Sequence, residues 1–497
     1  MSLFHWAAHQ PVPHHPADAP DTPATWAGLT AAFQGCADFA TKEVQLTGTR
    51  QALRLAWVDG MVKSERLNDY VIRPIVSAPQ PVTGDEAEQL LLGGVWNLDA
   101  EEQKLLADVV DAVIDGAAAV FLPNGKVITC SVQTEEKRSV ESPENETEVK
   151  GAKDAFVESL RTNTSLLRRR MRSPALRVTE KTVGRRSGTP VDVLWMDGIT
   201  DQALVRRVEE ALDAMDIDAL LTTADLEEYL IGPRRTVFPR AIFTERPDRL
   251  CRELLNGRVA VLADGIPLGC VLPCCIADFL RAPQDRSWHF LAASCLLVLR
   301  YLCVGLTLTL PGFYIAVTGF HFEMIPTRLA QSIIAAKQDV PFATQFEVLG
   351  LLLAFEILQE AGQRLPKTIG QTVSIIGGLV VGQAAVDAKI LSPMVIIVVA
   401  AAGITGFTIP NQDLSNALRV WRFLLAVAAS VAGLFGLSLA LAVLVLHLAG
   451  VETLGCPYLA PFTAGTVAAA RTVVRGPVPG EKLRDTVLPT DNVRKQR

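Results

Sequence analysis

The stretch from His289 to Gly450 holds only 15 Asp, Glu, Lys and Arg in 162 residues, whereas the other 335 residues hold 85. Within it, His289 to Phe320 and Phe423 to Gly450 are apolar runs, each longer than the ~20 residues with which a helix crosses the bilayer hydrocarbon. A soluble core cannot hide two such runs and the material between them. The chain therefore reads as an integral membrane protein carrying a water-soluble head. Its overall 49% hydrophobic and 20% charged content averages two unlike parts. A net charge of -6 gives no reason to expect nucleic acid as a partner.

The division predicts a flexible tail over 1–45, a first α/β module over 46–134 and a second over 135–288. A helical membrane domain over 289–455 and a cytoplasmic C-terminal tail over 456–497 follow. The fold class is thus an α/β head of two related modules, then an all-α polytopic membrane domain. The first residues hold no apolar stretch suited to a signal peptide, which places the head in the cytoplasm. His5, His9, His14 and His15 lack Cys or acidic partners at fixed spacing, so neither a metal nor a cofactor is expected. Nine cysteines, scattered or in apolar surroundings, read as buried free thiols of a reducing compartment.

The two modules rest on a repeat. LRLAWVDGMV from Leu53 matches VDVLWMDGIT from Val191, pairing Trp57 with Trp195, Asp59 with Asp197 and Gly60 with Gly198. Further on, AVFLPNGKVITC from Ala119 echoes VAVLADGIPLGC from Val259. In the second pair a β-rich run enters Asn-Gly or Asp-Gly, the chemistry of tight turns. These Asp-Gly sites read as turn formers rather than catalytic groups. No phosphate-binding glycine loop and no Ser-His-Asp or Cys-His constellation stands out, so an enzyme is not expected. A basic helix from Phe156 to Arg177 includes Arg161, Arg168 and Arg169. It is expected to pair with acidic surfaces of the chain or a neighbour, the segment Glu209, Glu210, Asp213, Asp216 and Asp218 being a candidate. Anionic lipid headgroups are the other possible partner.

In the membrane block, Arg300 needs a helix partner, a water path or the headgroups. Over 345–363, Gln345, Glu356, Gln359, Glu360 and Gln363 share one helix face with Leu349 and Leu352, and Glu347 lies opposite. Two readings stand: a cation path with a hydrophobic constriction, or an amphipathic helix flat at the interface. The run from Thr368 to about 410, broken at Asp387 and Pro393, reads as two short spans in a hairpin. Gly378 and Gly382 form a close-packing face there, and Gln371, Gln383 and Asp387 face protein or water. One final span over 423–450 makes four crossings, an even number, with the basic tail also inside.

FTERPDRLCRELLNGRVAVLADG, RLPKTIGQTVSIIGGLVVGQAAV, SPMVIIVVAAAGITGFTIPN and GCPYLAPF resemble the GerA family of spore germination proteins. Within it, the chain is more similar to the A-subunit branch of nutrient germinant receptors than to the stage V sporulation branch. The resemblance runs from about Leu53 to about Phe462. It implies residence in the inner membrane of a bacterial endospore, beside a transporter-like B subunit and a lipoprotein C subunit. It also implies a homo-oligomer forming a nutrient-gated ion channel. On that basis Leu349, Leu352, Glu356, Gln359 and Glu360 would line a pore, and Arg161, Arg168 and Arg169 would contact neighbouring heads. The chain departs from the family at Leu352, where many members carry Glu, and at Asn124, where Asp is usual. A non-conducting membrane scaffold and a solute transporter are the competing readings.

Overall fold

The computed structural model describes residues 22–78, 80–93, 99–133, 143, 146, 150–364, 382–460, 462–463, 472–484, 490 and 492–495. Chain contacts divide the protein into two compact units. The first comprises Met1–Pro233, Ala241–Pro273 and Lys482–Arg497; the second comprises Arg234–Arg240 and Cys274–Glu481.

Two five-stranded sheets build the first unit. One contains β1 (Phe39–Gln45), β2 (Ala52–Val58), β3 (Ala100–Gln103), β4 (Ala117–Phe121) and β5 (Val127–Ser131), in the order β1-β2-β4-β5-β3. The other contains β6 (Leu176–Val183), β7 (Thr189–Met196), β8 (Ile242–Thr244), β9 (Val259–Ala263) and β10 (Gly269–Leu272), in the order β6-β7-β9-β10-β8. The connectivity is the same in both, and every strand pair is antiparallel. A helix leads into each sheet: α1 (Trp26–Ala32) into the first and, further on, α5 (Leu160–Arg170) into the second.

Helix α2 over 64–76, α3 (Gly84–Leu92) and α4 (Leu106–Ile114) complete the first sheet's cover. The twofold alternation of strand side chains explains why it needs two faces covered. Leu53, Leu55, Ala118 and Val120 pack on Leu67, Val71 and Ile75 of α2 and Leu91 of α3. Their neighbours Ala56, Val58 and Ala119 pack on Val109, Val110 and Val113 of α4 and on Leu29 and Phe33. Within the flexible tail expected over 1–45, residues 25–45 are instead built into the fold. Thr25 caps α1, Leu29 and Phe33 enter the core, and β1 pairs with β2 along its whole length.

The second sheet carries α6 (Gln202–Asp213), α7 (Thr223–Ile231) and α8 (Pro247–Leu255). The expected tight turns are present, with Gly60, Gly125, Gly198 and Gly265 all at positive φ. Asp59 and Asp197 each accept a hydrogen bond from the following glycine N–H, at 3.2 and 3.1 Å. Gly60 has a second reason: a Cβ there would sit 2.9 Å from the Arg161 carbonyl of α5. Any side chain would lift this turn off that helix.

The second unit is helical. After α9 (Ile276–Leu280) come α10 (Phe290–Gly319), α11 (Thr327–Lys337), α12 (Thr344–Arg364), α13 (Gly382–Asp387) and α14 (Pro393–Phe407). Helix α10 and the stretch Gln412–Ala449 are long and apolar enough to cross a membrane. That last stretch is not one straight helix. Ala432 (φ -132°) and Gly433 (φ 60°) break it into α15 (412–431) and α16 (434–449). On a straight helix Trp421 and His447 would stand roughly 39 Å apart at 1.5 Å per residue, yet their rings lie 5.7 Å apart. The two limbs form an antiparallel hairpin, which corrects the single final span read from the sequence. Gly433 makes the reversal feasible, since its φ suits glycine and a Cβ there would meet Phe320 at 3.0 Å. Continuous hydropathy hides such a break, because a glycine between alanines and leucines leaves the apolar run intact.

All nine cysteines are free thiols. Eight are buried, while Cys295 is exposed on α10. Burial pushes the Cys130 and Cys251 thiols up to about 12, so neither is a thiolate near neutral pH.

Candidate functional site

Helix α12 packs against α10, α14 and the α15–α16 hairpin. Phe355 helps seat it: its ring is tilted against that of Phe407, with centroids 6.4 Å apart, and lies over Gly403. Near its start, Glu347 is enclosed. It accepts a hydrogen bond from the Ser392 N–H at 2.8 Å, at the head of α14, and pairs with Lys337 at 3.4 Å.

Further along α12, Glu356 meets two arginines of α15. Arg419 donates from Nε to one carboxylate oxygen at 2.6 Å, and Arg422 donates from Nη2 to the other. Arg422 is 2% exposed and also reaches the Ala402 carbonyl at 3.4 Å. Arg419 is steadied by Asn416 at 3.1 Å. A carboxylate within an apolar bundle requires such partners, because an unpaired one is costly to desolvate. Beside this clamp Leu352 is buried, Leu349 is half-buried, and Gln359 keeps an enclosed Oε1 with no hydrogen-bond partner among the described residues. Glu356, Ile357, Glu360, Ala361 and Arg419 line an open depression of about 490 Å³.

A second charged centre lies inside the α/β unit. Arg168 is fully enclosed and grips Asp38, which precedes β1, with Nε and Nη2 at 2.7 and 2.9 Å. Burial alone would favour its neutral form. The charge of Asp38 and its hydrogen bonds outweigh that and hold the guanidinium protonated. Arg161 is shared by Asp59 at 3.6 Å, Asp192 at 3.7 Å and Glu180. Asp192 has no exposed surface. Burial pushes its carboxyl up to about 6, against the Thr164 hydrogen bond and the Arg161 charge that pull it down.

The family model described as "Bacillus/Clostridium GerA spore germination protein" matches residues 27–487. The chain belongs to the GerA family. It is 34% identical to spore germination protein KA of Bacillus subtilis over 469 residues, covering 92% of this chain and 85% of that protein. It is also 34% identical to the uncharacterized membrane protein YfkQ of Bacillus subtilis, covering 87% of this chain and 84% of that one. A solved structure similar to part of it is the N-terminal domain of the A subunit of the Bacillus megaterium spore germinant receptor GerK3. That likeness has 20% identity and a TM-score of 0.39, covering 51% of this chain and 96% of the other.

In this GerA-family chain the arginines expected at head surfaces are otherwise employed. Arg168 is a buried intramolecular strut, so it cannot serve a neighbouring subunit, and Arg161 is taken up by its own acids. The acidic segment expected to receive them pairs elsewhere: Asp213 with Lys181, Asp216 with Arg185 and Asp218 with Arg186. Arg169 is half-buried. Arg300 turns back along α10 to Asp285 at 2.8 Å and to the Leu280 carbonyl at 3.2 Å, finding a partner within the chain. Gln383 and Asp387 are exposed on α13, and a Cβ at Gly382 would come no nearer than 4.0 Å to Ile396, so no close packing requires glycine there. Gln371 and Gly378 lie outside the described residues. Sequence reasoning missed Arg419 and Arg422. Their spacing of three on a helix, beside an otherwise apolar run, was the available signal.

Proposed function

We propose that this chain is an A-type subunit of a nutrient germinant receptor. In this reading it sits in the inner membrane of the endospore, beside a transporter-like B subunit and a lipoprotein C subunit. Its relatives are named spore germination proteins, which supports a role in germination. The outward apolar surface of the helical unit, with Leu302, Ile404, Phe435 and Leu446 all exposed, supports a lipid environment. With the hairpin expected over 368–410, of which 368–381 lie outside the described residues, α10, α12, α15 and α16 make six passes. That count is even, which keeps head and tail on the cytoplasmic side. The two sheets of equal connectivity are copies of one module, and the head serves oligomerisation and coupling, with Arg169 on the contact surface.

The chain oligomerises as a nutrient-gated ion channel, and α12 lines the ion path. The observation that carries this is a glutamate seated inside the helix bundle, held by two arginines beside the enclosed Leu352 and opening onto a depression. In the resting state the clamp neutralises Glu356 and Leu352 closes the path. Opening separates α12 from α15, and a nutrient can drive it only by binding the open assembly more tightly than the closed one. The test combines mass measurement of the detergent-solubilised chain with ion flux in liposomes. Glu356→Gln is expected to change conductance or selectivity without changing the assembled mass. Conductance and selectivity identical to the parent would sink the reading.

A further inference from the structure

The two sheets share a connectivity, but the chain leaves them differently. After β5 it runs on to Gln133, which forms an antiparallel bridge to Val62, just past the turn at Gly60. The Gln133 side-chain amide also donates to the Asp115 carbonyl, at the end of α4. Between these contacts lies Gly116, at φ 94°. A Cβ there would sit 2.9 Å from the Gln133 side chain and 3.0 Å from the Met61 carbonyl. The glycine opens a narrow slot, and Gln133 fills it.

The second sheet has the same slot. Gly257, at φ 91°, follows α8, and a Cβ on it would come within 3.5 Å of the Ile199 carbonyl. Ile199 and Thr200 are the repeat partners of Met61 and Val62. Here the chain passes to the helical unit at Cys274, two residues beyond β10, and leaves the slot to another segment. That segment is the C-terminal tail. Thr490 bridges Thr200 in the antiparallel sense, as Gln133 bridges Val62, and a Cβ on Gly257 would run into its methyl group. Arg484 donates to the Leu255 carbonyl at the end of α8, the counterpart of the Gln133 bond to Asp115. The tail is folded back on itself, with Leu483 bridged to Arg494 and the Arg484 N–H donating to the Val493 carbonyl at 2.9 Å.

We propose that the slot between Thr200 and Gly257 is a docking site for the C-terminal tail of the same chain, which stands in for the segment that the second sheet lacks. The first module shows what such a slot accepts: an extended backbone that makes one bridge and lays a side chain over a glycine. The tail follows the last apolar stretch, whereas Thr200 and Gly257 precede the first. Docking therefore holds tail and head on one side of the membrane by direct contact. It also ties the second module to the chain beyond the helical unit as well as before it. No ion path enters this inference, so its fate is separate from that of the channel reading.

The experiment is a disulfide introduced into the full, detergent-solubilised chain. Paired residues of an antiparallel bridge have Cα atoms about 4.5–5.5 Å apart, a separation that a disulfide spans. Cys295 is the exposed native thiol, so Cys295→Ser supplies the background. On oxidation, Thr200→Cys with Thr490→Cys should yield peptides holding 200 and 490 joined to each other in most chains, while the denatured protein still runs as a single copy. Absence of the link, or a link that joins two chains, overturns the inference. Should the double variant fail to elute as the parent does, hydrogen exchange decides, with a chain ending at Glu481 set against the parent. Exchange should quicken about fivefold around Thr200 and Gly257, as loss of one net hydrogen bond allows. It should stay unchanged around Val62 and Gly116, where Gln133 is still in place. Equal exchange around Thr200 and Gly257 in the two chains overturns the inference.

Discussion

In the α/β unit Arg168 meets Asp38 one to one, through two hydrogen bonds, with neither side chain exposed. In the helical unit Glu356 meets two arginines, and one edge of the cluster opens onto a depression. Both are arginine–carboxylate sites, but only the first is closed in charge and in space. A matched, sealed pair has no capacity left for a ligand or an ion; its role is to join the strand-leading segment of one sheet to the helix leading into the other. A mismatched, open cluster keeps residual charge that a neighbour, an ion or a moving helix can use. Around Arg161 the head carries the opposite mismatch, one arginine for three acids.

The largest effect expected from this contrast is at Arg168. Arg168→Ala strands the Asp38 carboxylate where no water reaches it, and breaking a buried pair in this way costs about 3–5 kcal/mol. Thermal unfolding of the purified full chain should lose most of its α/β transition. The double variant Arg168→Met with Asp38→Leu should recover a large part, because the unpaired charge is gone. If Arg168→Ala unfolds with the parent, the pair is not the strut described and the contrast fails.

Asp192 sharpens the comparison, because it is enclosed like Asp38 but has only a third share of Arg161. Burial holds its folded carboxyl up at about 6, against 3.8 for an exposed aspartate. Between those values the folded chain binds a proton that the unfolded chain releases. Stability should therefore rise as pH falls from about 6 to about 4, and level off below. At neutral pH the buried charge costs about 3 kcal/mol. Asp192→Asn should remove this slope and raise the neutral-pH unfolding midpoint of the α/β unit. A slope unchanged by that substitution would show that another group is responsible.

Periodicity and turn chemistry made much of this legible beforehand. The Asp-Gly and Asn-Gly turns, the repeated strands around Trp57 and Trp195, and the apolar α10 follow from local rules that the folded chain obeys. What was not legible depends on distant pairing. Arg168 and Asp38 are 130 positions apart, and nothing near either announces the other. Helix α12 showed its polar face in sequence, but the guanidiniums that meet Glu356 come from 63 and 66 positions away. The hairpin at Gly433 was missed because hydropathy sums over a window and cannot sense one backbone angle. Helix α1 was missed because an Ala- and Pro-rich lead obscured the spacing of Trp26 and Leu29.

The smallest effect belongs to Arg419, and it separates the two kinds of site most directly. Removing Arg168 leaves its acid with no cation, whereas Arg419→Ala leaves Glu356 with the enclosed Arg422. The carboxylate keeps a hydrogen-bonded partner, and the cluster moves from +1 to neutrality. The loss should resemble that of a partly exposed ion pair, within about 1 kcal/mol. It should shrink further in high salt, since the depression admits counter-ions. Parallel thermal melts of Arg168→Ala and Arg419→Ala, each at low and high salt, test this. A near-equal loss in both variants would mean that the second arginine is needed to hold α12 in place. Glu356 would then have no charge to spare, and the distinction between a sealed strut and an open cluster would disappear.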